Sequence, residues 1–258
     1  MWDNKEYPFL YETHLHTNQG SACGHNTGYE MAKAAHEYGY TGIIVTDHAW
    51  GGNTCVDRKL PWSEWVTQFA VGYEDAKRYG DAHGLDVFWG FEAGFNATEF
   101  LVYGVSPEWM IAHPELHDAD EKEQYEIIHA AGGMVIQAHP FRDEFYIPQM
   151  RLFPHHVDGI EGINATHSSH LSQAHNNPLF DEEAIVYGNV YSLPFTAGSD
   201  VHSTNMFGGG VAFNHRLNSI EDYIKAIIGR EKYVITNGDV SYMSDTIARD
   251  YDYSFLRK

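Results

Sequence analysis

The chain has 258 residues, of which 43% are hydrophobic and 14% aromatic, enough apolar side chains to bury a substantial core. Acidic residues number 36 against 16 basic ones, and the resulting net charge of -20 would repel the phosphate backbone of a long nucleic acid. No apolar run approaches the roughly 20 residues of a membrane span, and the N-terminal segment lacks the pattern of a secretory signal. These features predict a soluble, cytoplasmic protein that binds neither membranes nor long nucleic acids.

Cysteine and histidine usage narrows the class further. The two cysteines, Cys23 and Cys55, are too few for a disulfide framework and are typical of a reducing compartment. The 17 histidines, in contrast, outnumber all lysines and arginines together. Because histidine is the commonest protein metal ligand and a frequent acid-base group, the positions of these residues carry most of the functional information.

Apolar, β-branched or aromatic runs alternate with stretches of helical periodicity along the chain. The predicted strands cover residues 9–16, 41–48, 85–92, 100–105, 132–139, 157–164 and 193–200, with less regular ones at 209–214 and 232–238. The predicted helices cover 28–39, 63–84, 118–133, 179–189 and 219–230, and several end at a glycine, as at Gly39, Gly84 and Gly132. This alternation favours parallel strands with the helices outside, in an α/β fold that forms a single domain over residues 1–258.

Side chains with ligand chemistry stand at the ends of five predicted strands. In chain order they are His14 and His16, Asp47 and His48, Glu92, His139, and Asp200 with His202. The carboxyl ends of the strands in a β/α barrel converge on one face, where active sites are built. We therefore expect these side chains to meet at one mouth of the fold.

The spacing of these residues suits a metal site. Side chains alternate along a strand, so His14 and His16 point to the same face, although an isolated pair is also typical of half-exposed strand histidines. Glu92 follows the apolar run VFWGF, where a carboxylate is costly to bury unless it is paired or binds metal, and it can bridge two cations. Imidazole and carboxylate ligands favour zinc, manganese or iron over calcium, in a site for two or three divalent ions.

Such a centre predicts hydrolytic chemistry. Two ions about 3.5–4 Å apart clamp the attacking and leaving oxygens of a phosphoryl displacement and activate a water as hydroxide. The sequence contains no Gly-x-Ser-x-Gly elbow, phosphate-cradling loop or dinucleotide fingerprint. Arg142 can pair with a phosphate, or alternatively with Asp143 or Glu144 at the surface, and His167 is a second candidate for contact with substrate.

Five segments together resemble the polymerase and histidinol phosphatase (PHP) domain family. They are HLHT at 14–17, TDH at 46–48, GFE at 90–92, AHPF at 138–141 and GSDVH at 198–202, in the family's order. The resemblance implies a distorted (β/α)7 TIM-like barrel with a three-metal site and phosphoesterase activity. By position it also implies one ion held by His14, His16, Glu92 and Asp200, a second by Glu92 and His139, and a third by His48 and His202.

The chain departs from the family pattern after the fourth strand. Family members often have a further histidine there, where this chain has Ser106 and Glu108. An imidazole from this segment could reach the second ion only if the chain at His113 or His117 turned back towards the end of the fourth strand. A second ion that is weaker or differently ligated is therefore expected.

The loop after HLHT departs as well. His25 is the predicted metal ligand of this loop, and Cys23 is the alternative. Asp47 is expected to lie behind the ligands and to orient one of them or a water. The predicted catalytic carboxylates are therefore Glu92, Asp200 and Asp47.

Three functions are compatible with these residues. Hydrolysis of a small phosphomonoester or nucleotide is favoured. Amidohydrolase-like barrels also open with His-x-His and close with an aspartate, so cleavage of a C–N or C–O bond is the alternative. Many of those enzymes bridge their metals through a modified lysine, whereas no lysine ends a predicted strand here. A non-catalytic domain with structural metals is the third possibility.

Overall fold

The structure, a computed structural model, describes residues 2–171 and 174–256. Within these ranges ten strands form one curled sheet, in the order β10-β9-β8-β1-β2-β3-β4-β5-β6-β7. The strands are β1 (Phe9–Leu15), β2 (Gly42–Val45), β3 (Asp86–Phe95), β4 (Thr98–Tyr103), β5 (Met134–Gln137), β6 (Gly159–Asn164), β7 (Phe195–Gly198), β8 (Gly210–Phe213), β9 (Val234–Thr236) and β10 (Ser241–Met243). The helices are α1 (Gly28–Tyr38), α2 (Trp62–Phe69), α3 (Val71–His83), α4 (Pro107–Ala112), α5 (Glu121–Ala130), α6 (Ala165–Ser168), α7 (Leu179–Tyr191), α8 (Ile220–Ile228) and α9 (Ile247–Asp250), with a 3₁₀ turn at Pro114–His117. The predicted α/β class is thus confirmed.

The sheet curls until its seventh strand returns to its first. β1, β2 and β3 are mutually parallel, as are β5, β6 and β7. Just beyond β7, the Val201 amide donates to the His14 carbonyl at 3.0 Å and the His16 amide donates to the Val201 carbonyl at 2.9 Å. This bridge brings the carboxyl ends of the parallel strands around a common centre.

The strict (β/α)7 repeat is not confirmed, because β4 runs antiparallel to both β3 and β5. β3 continues past Glu92 and turns directly into β4 through Asn96 and Ala97, whose φ angles of 51° and 62° are those of a type I′ hairpin turn. No crossover helix separates these two strands. In addition, β8, β9 and β10 extend the sheet beyond β1 through antiparallel pairs.

The helix ends follow from local chemistry. Thr27 caps α1 in a capping box with Glu30, and Gly39 ends the helix with a left-handed φ of 95° that glycine adopts without strain. The predicted helix over 63–84 is two helices, α2 and α3, which meet at Ala70. None of the described helices combines the length and hydropathy that a bilayer-spanning segment needs.

Neighbouring residues of a strand bury their side chains on opposite sides of the sheet. Ile43 and Val45 of β2 pack with Met31 of α1, whereas Ile44 between them packs with Phe91 in the larger apolar cluster. This alternation is the expected geometry of a strand buried on both faces, which explains why the sequence of β2 is continuously apolar.

The first turn of α3 packs directly behind the carboxyl end of β1. A β-carbon at Gly72 would lie 2.2 Å from Thr17 Oγ1 and 2.8 Å from Asp47 Oδ2, so only glycine fits there without displacing these buried side chains. Thr17 and Asp47 are themselves hydrogen-bonded at 2.7 Å. The helix therefore supports the loop that follows β1.

We expect Gly72→Ala to lower the free energy of unfolding by about 1–3 kcal/mol, the usual cost of overpacking a buried contact. Val71→Ala is the matched control, since Val71 is 44% exposed and its truncation should change stability by less than about 0.5 kcal/mol. Urea unfolding followed by circular dichroism measures both. Equal midpoints for the two variants would contradict the close contact.

Candidate metal centre

Seven of the eight predicted metal ligands meet at the carboxyl ends of the parallel strands. They are His14 of β1, His16 just after it, His48 after β2, Glu92 of β3, His139 after β5, and Asp200 and His202 after β7. These side chains and Glu99 form four overlapping groups of three, and within each group the candidate ligand atoms lie within 4.8 Å of one another. The prediction that separate strand ends converge on one mouth is therefore realised in the structure.

Glu92 lies at the centre of the cluster and faces imidazoles through both carboxylate oxygens. Its Oε1 lies 3.4 Å from His14 Nε2 and 3.2 Å from His139 Nε2. Its Oε2 lies 3.4 Å from His16 Nε2 and 3.0 Å from His48 Nδ1. A carboxylate placed between two pairs of ligand atoms is suited to bridge two cations.

The spacing of the ligand atoms suits a small divalent ion. Asp200 Oδ1 lies 3.5 Å from His14 Nε2 and 3.3 Å from His16 Nε2, close to the separations that Glu92 makes with the same imidazoles. Four ligands at about 2.0–2.1 Å from a tetrahedral ion are themselves about 3.3–3.4 Å apart. These four residues fit the first ion set that the resemblance implies.

Hydrogen bonds orient two of the imidazoles so that Nε2 faces the cluster. His14 Nδ1 lies 2.9 Å from Glu161 Oε1, and His202 Nδ1 lies 2.8 Å from the Asp200 carbonyl. Both partners accept only, so each Nδ1 carries a proton, and Nε2 is the nitrogen that would bind a metal. Glu161 is buried within β6, and no pattern in the sequence singled it out.

His16 is oriented through Ser21 and Asp47. Ser21 Oγ donates to Asp47 Oδ1 at 2.7 Å, so towards His16 Nδ1, 3.1 Å away, it acts as the acceptor. Thr17 adds a backbone and a hydroxyl hydrogen bond to the same carboxylate at 2.6 and 2.7 Å. Asp47 thus lies behind the ligands, at the place expected from the sequence, and does not line the cavity.

The buried carboxylates of the cluster favour positive charge on the ring of His14. Burial opposes the charged form of His14, yet Asp200, Glu161 and Glu92 raise its pKa well above the ordinary value. His14 Nε2, His16 Nε2, His48 Nδ1 and Glu92 Oε2 are buried and have no hydrogen-bond partner within the described residues. Unpaired buried atoms of this kind are expensive, and bound cations would satisfy them.

Two residues of the cluster adopt strained backbone conformations. His139 has a φ of 27° and Asp200 a φ of 52°, both in the left-handed region that residues with a β-carbon rarely occupy. Such strain costs about 1–3 kcal/mol per residue and is concentrated at functional sites. The strained backbone at these two residues therefore lowers the stability of the fold and directs both side chains towards the cluster.

Arg142 is buried beside Asp200 and does not form the surface pair with Asp143 or Glu144 that the sequence left open. Its Nη2 donates to Asp200 Oδ2 at 2.6 Å, and its Nε donates to His167 Nε2 at 3.1 Å. The side chain is 6% exposed and lines the cavity. A cation is therefore held at the edge of the cluster.

His167, predicted to contact substrate, lies behind Arg142 and outside the cavity lining. Burial, followed by the charge of Arg142, lowers its pKa well below the ordinary value, so the ring is neutral. Its Nδ1 lies 2.8 Å from Asp181 Oδ1, which leaves Nε2 free to accept from Arg142. Asp181, His167 and Arg142 form a buried chain that sets the position of the guanidinium.

The reversal of β4 explains the missing histidine. Because β4 is antiparallel, its first residues lie at the metal edge, and Glu99 Oε1 and Oε2 each lie 3.5 Å from an imidazole nitrogen, of His48 and His139 respectively. Residues after β4, including Ser106 and Glu108, line a separate pocket beside the first residues of β3. The signal for Glu99 was the Asn96 turn in GFNATEF, which predicts a hairpin.

The loop after β1 presents Cys23 to the cluster and turns His25 away. His25 is exposed, and its backbone amide donates to the His202 carbonyl at 2.8 Å. Cys23 lines the same cavity as His48 and His202. Burial opposes ionisation of the Cys23 thiol, but the neighbouring imidazoles of His202 and His48 lower its pKa to about 7.

A cavity of about 590 Å³ opens over the cluster, within the usual range for small-molecule sites. Its lining includes His48, Glu92, Glu99, His139, Arg142, Asp200 and His202, with Tyr146 and His175 alongside. Among the described residues of this lining, Arg142 is the only lysine or arginine. The cavity thus combines a carboxylate and imidazole floor with one fixed cation.

Comparison by sequence finds no family model and no curated protein that matches the chain. Comparison by structure finds a two-domain protein from Bacteroides vulgatus that contains a predicted PHP-like metal-dependent phosphoesterase, with a TM-score of 0.64 and 17% identity. It aligns over 92% of this chain, which spans 65% of the length of that protein.

Two further solved structures share the fold. A presumed metal-dependent phosphoesterase from Bifidobacterium adolescentis aligns over 85% of this chain and 96% of its own, with a TM-score of 0.53 and 15% identity. PsfC from Pseudomonas syringae aligns over 93% of both chains, with a TM-score of 0.54 and 14% identity. These likenesses confirm that the chain has the fold of PHP-like proteins, as its motifs predicted.

Glu161 provides a test of the hydrogen-bonded support behind the ligands. We expect Glu161→Gln to weaken zinc and manganese binding about 10- to 100-fold, because the charged partner that fixes the His14 ring is lost. Glu64→Gln, on the exposed face of α2, is the control and should bind as the unaltered protein does. Isothermal titration calorimetry of the metal-free variants measures both, and equal affinities would contradict the assigned role of Glu161.

Proposed function

We propose that the protein is a metal-dependent phosphoesterase that hydrolyses a small phosphate ester, either a phosphomonoester or a nucleotide. The observation that carries this proposal is the cluster of overlapping imidazole and carboxylate ligand groups at the floor of the cavity. Ions bound there would supply positive charge that polarises a phosphoryl group and activates a water. The fold shared with PHP-like phosphoesterases supports the same reaction class.

The residues divide among two or three divalent ions, with zinc, manganese and iron suited to the ligand set. We assign His14, His16, Glu92 and Asp200 to the first, Glu92, Glu99 and His139 to the second, and His48 and His202 to the third. Glu92 would be shared between two ions, since each of its oxygens faces different imidazoles. Glu99 takes the place of the histidine that family members often place after the fourth strand.

The remaining polar residues act on the substrate or on the ligands. Arg142 would pair with a phosphoryl oxygen, and its fork geometry favours bidentate recognition of phosphate. His167 and Asp181 hold the guanidinium in place from behind. Asp47 acts on His16 through Ser21 and so supports the centre as a positioning residue.

The substrate class follows from the size and charge of the site. A cavity of about 590 Å³ admits a sugar phosphate or a mononucleotide but not a duplex. The net charge of -20 disfavours long nucleic acids as partners. A reducing compartment such as the cytoplasm is part of this proposal, since both cysteines are free thiols.

The reaction class is tested by assaying the protein after loading it with manganese, zinc or iron. A generic aryl phosphate and a panel of phosphomonoesters and nucleotides should be hydrolysed, and Glu92→Gln should abolish turnover while some metal is retained. Failure of a fully metal-loaded protein to hydrolyse any phosphate ester would contradict the proposal. Turnover of amides or lactones alone would assign the amidohydrolase-like reaction instead.

A substitution at Arg142 tests phosphate recognition without removing a proposed metal ligand. We expect Arg142→Gln to lower kcat/KM for a phosphate ester about 10- to 100-fold, the equivalent of the roughly 1.5–3 kcal/mol that a charged hydrogen bond contributes. Most of the loss should appear as a higher KM, with the number of bound metal ions unchanged. Arg78→Gln is the control, because Arg78 is exposed and pairs with Asp75 on α3, outside the metal cavity. Steady-state kinetics measure both variants, and an unchanged KM for Arg142→Gln would exclude a contact between Arg142 and the phosphate.

A further inference from the structure

The thiol of Cys23 lies among the imidazoles of the metal cavity. The residue is half-buried and lines the same cavity as His48 and His202. The other cysteine, Cys55, is exposed and lies outside this lining, and its sulfur donates to the Asn18 carbonyl at 3.6 Å. The two cysteines therefore occupy different environments.

Backbone hydrogen bonds hold Cys23 in this position from both sides. The Ala22 amide donates to the Asn53 carbonyl at 2.8 Å, which ties the loop to the segment after β2. The His25 amide donates to the His202 carbonyl, also at 2.8 Å, which ties it to the segment after β7. The sulfur is thus carried between the two strand ends that supply His48 and His202.

An independent observation marks the same place as a ligand site. The nitrogen atoms of His16, His48 and His202 that are available as ligands lie within 4.8 Å of one another. His16 and His48 are 0% and 7% exposed, yet His16 Nε2 and His48 Nδ1 have no hydrogen-bond partner within the described residues. Three imidazoles with two unsatisfied buried nitrogens are suited to hold a cation, and Cys23 lines the same cavity as two of them, His48 and His202.

We propose that Cys23 is a metal ligand and that its thiolate binds the ion held by His48 and His202. The inference rests on the proposed metal centre and replaces His25 as the ligand from this loop. Binding breaks the S–H bond, forms a metal–sulfur bond and releases one proton to solvent. A thiolate is a soft ligand, so this position selects zinc over manganese, while the carboxylate-rich positions around Glu92 remain less selective.

Two measurements on the unaltered protein test for a metal–sulfur bond. After reduction and removal of bound metal, titration with cobalt(II) should produce a near-ultraviolet sulfur-to-cobalt charge-transfer band. X-ray absorption of the zinc-loaded protein should show a sulfur neighbour at about 2.3 Å. If cobalt and zinc bind but neither signal appears, the Cys23 inference fails and the metal centre stands. If the chain binds no metal, both proposals fail.

Matched variants identify the sulfur. Cys23→Ser should abolish the charge-transfer band and weaken the binding of one zinc equivalent at least about tenfold. Cys55→Ser makes the same chemical change outside the cavity and should keep the band and the affinity. Cys23→His should retain zinc without a sulfur neighbour. Loss of the band in Cys55→Ser, or its survival in Cys23→Ser, would overturn the assignment.

Discussion

Glu92 is 1% exposed, and each of its carboxylate oxygens lies within 3.5 Å of two imidazole nitrogens. Burial raises the free energy of a carboxylate, but His14, His48 and His139 lower the pKa of Glu92 well below its ordinary value. The carboxylate is therefore ionised at the centre of the fold. A buried anion is tolerated only where positive charge is held against it, and this requirement determines how the surrounding strands end.

The curl of the sheet brings imidazoles from several strand ends around the Glu92 carboxylate. The bridge between Leu15 and Val201 brings the end of β7 beside the end of β1, so that Asp200 and His202 reach the imidazoles of His14 and His16. The left-handed backbone at His139 and Asp200 is a local cost of the same arrangement. Strand pairing and core packing elsewhere in the sheet offset this cost.

The site contains two kinds of residue: candidate ligands, and residues that hydrogen-bond to the ligands from behind. The ligand atoms face the cavity, whereas Glu161, Ser21 and the backbone carbonyl of Asp200 lie behind the imidazoles and decide which nitrogen is protonated. Behind Arg142, the Asp181 and His167 pair plays the equivalent part for the one fixed cation of the lining. Asn164 joins the two hydrogen-bond networks, since its side-chain amide donates to Glu161 Oε2 at 3.0 Å and its backbone amide donates to Asp181 Oδ1 at 3.1 Å.

The sequence predicted which strands bring candidate ligands to the site. Side chains alternate along a strand, which placed His14 and His16 on the same face, and the other candidate ligands were expected at the carboxyl ends of parallel strands. Helix ends such as Gly39 were equally readable, since a left-handed cap demands glycine. Apolar periodicity does not reveal the direction of a strand, so the reversal of β4 and the position of Glu99 beside His48 and His139 were missed. The sequence predicted only that the second ion would be weaker or differently ligated. Whether Cys23 or His25 entered the cavity depended on loop hydrogen bonds to Asn53 and His202, and the burial of His167 depended on Asp181. Local periodicity determines which face a side chain takes, whereas strand direction and loop contacts between distant residues exist only in the assembled fold.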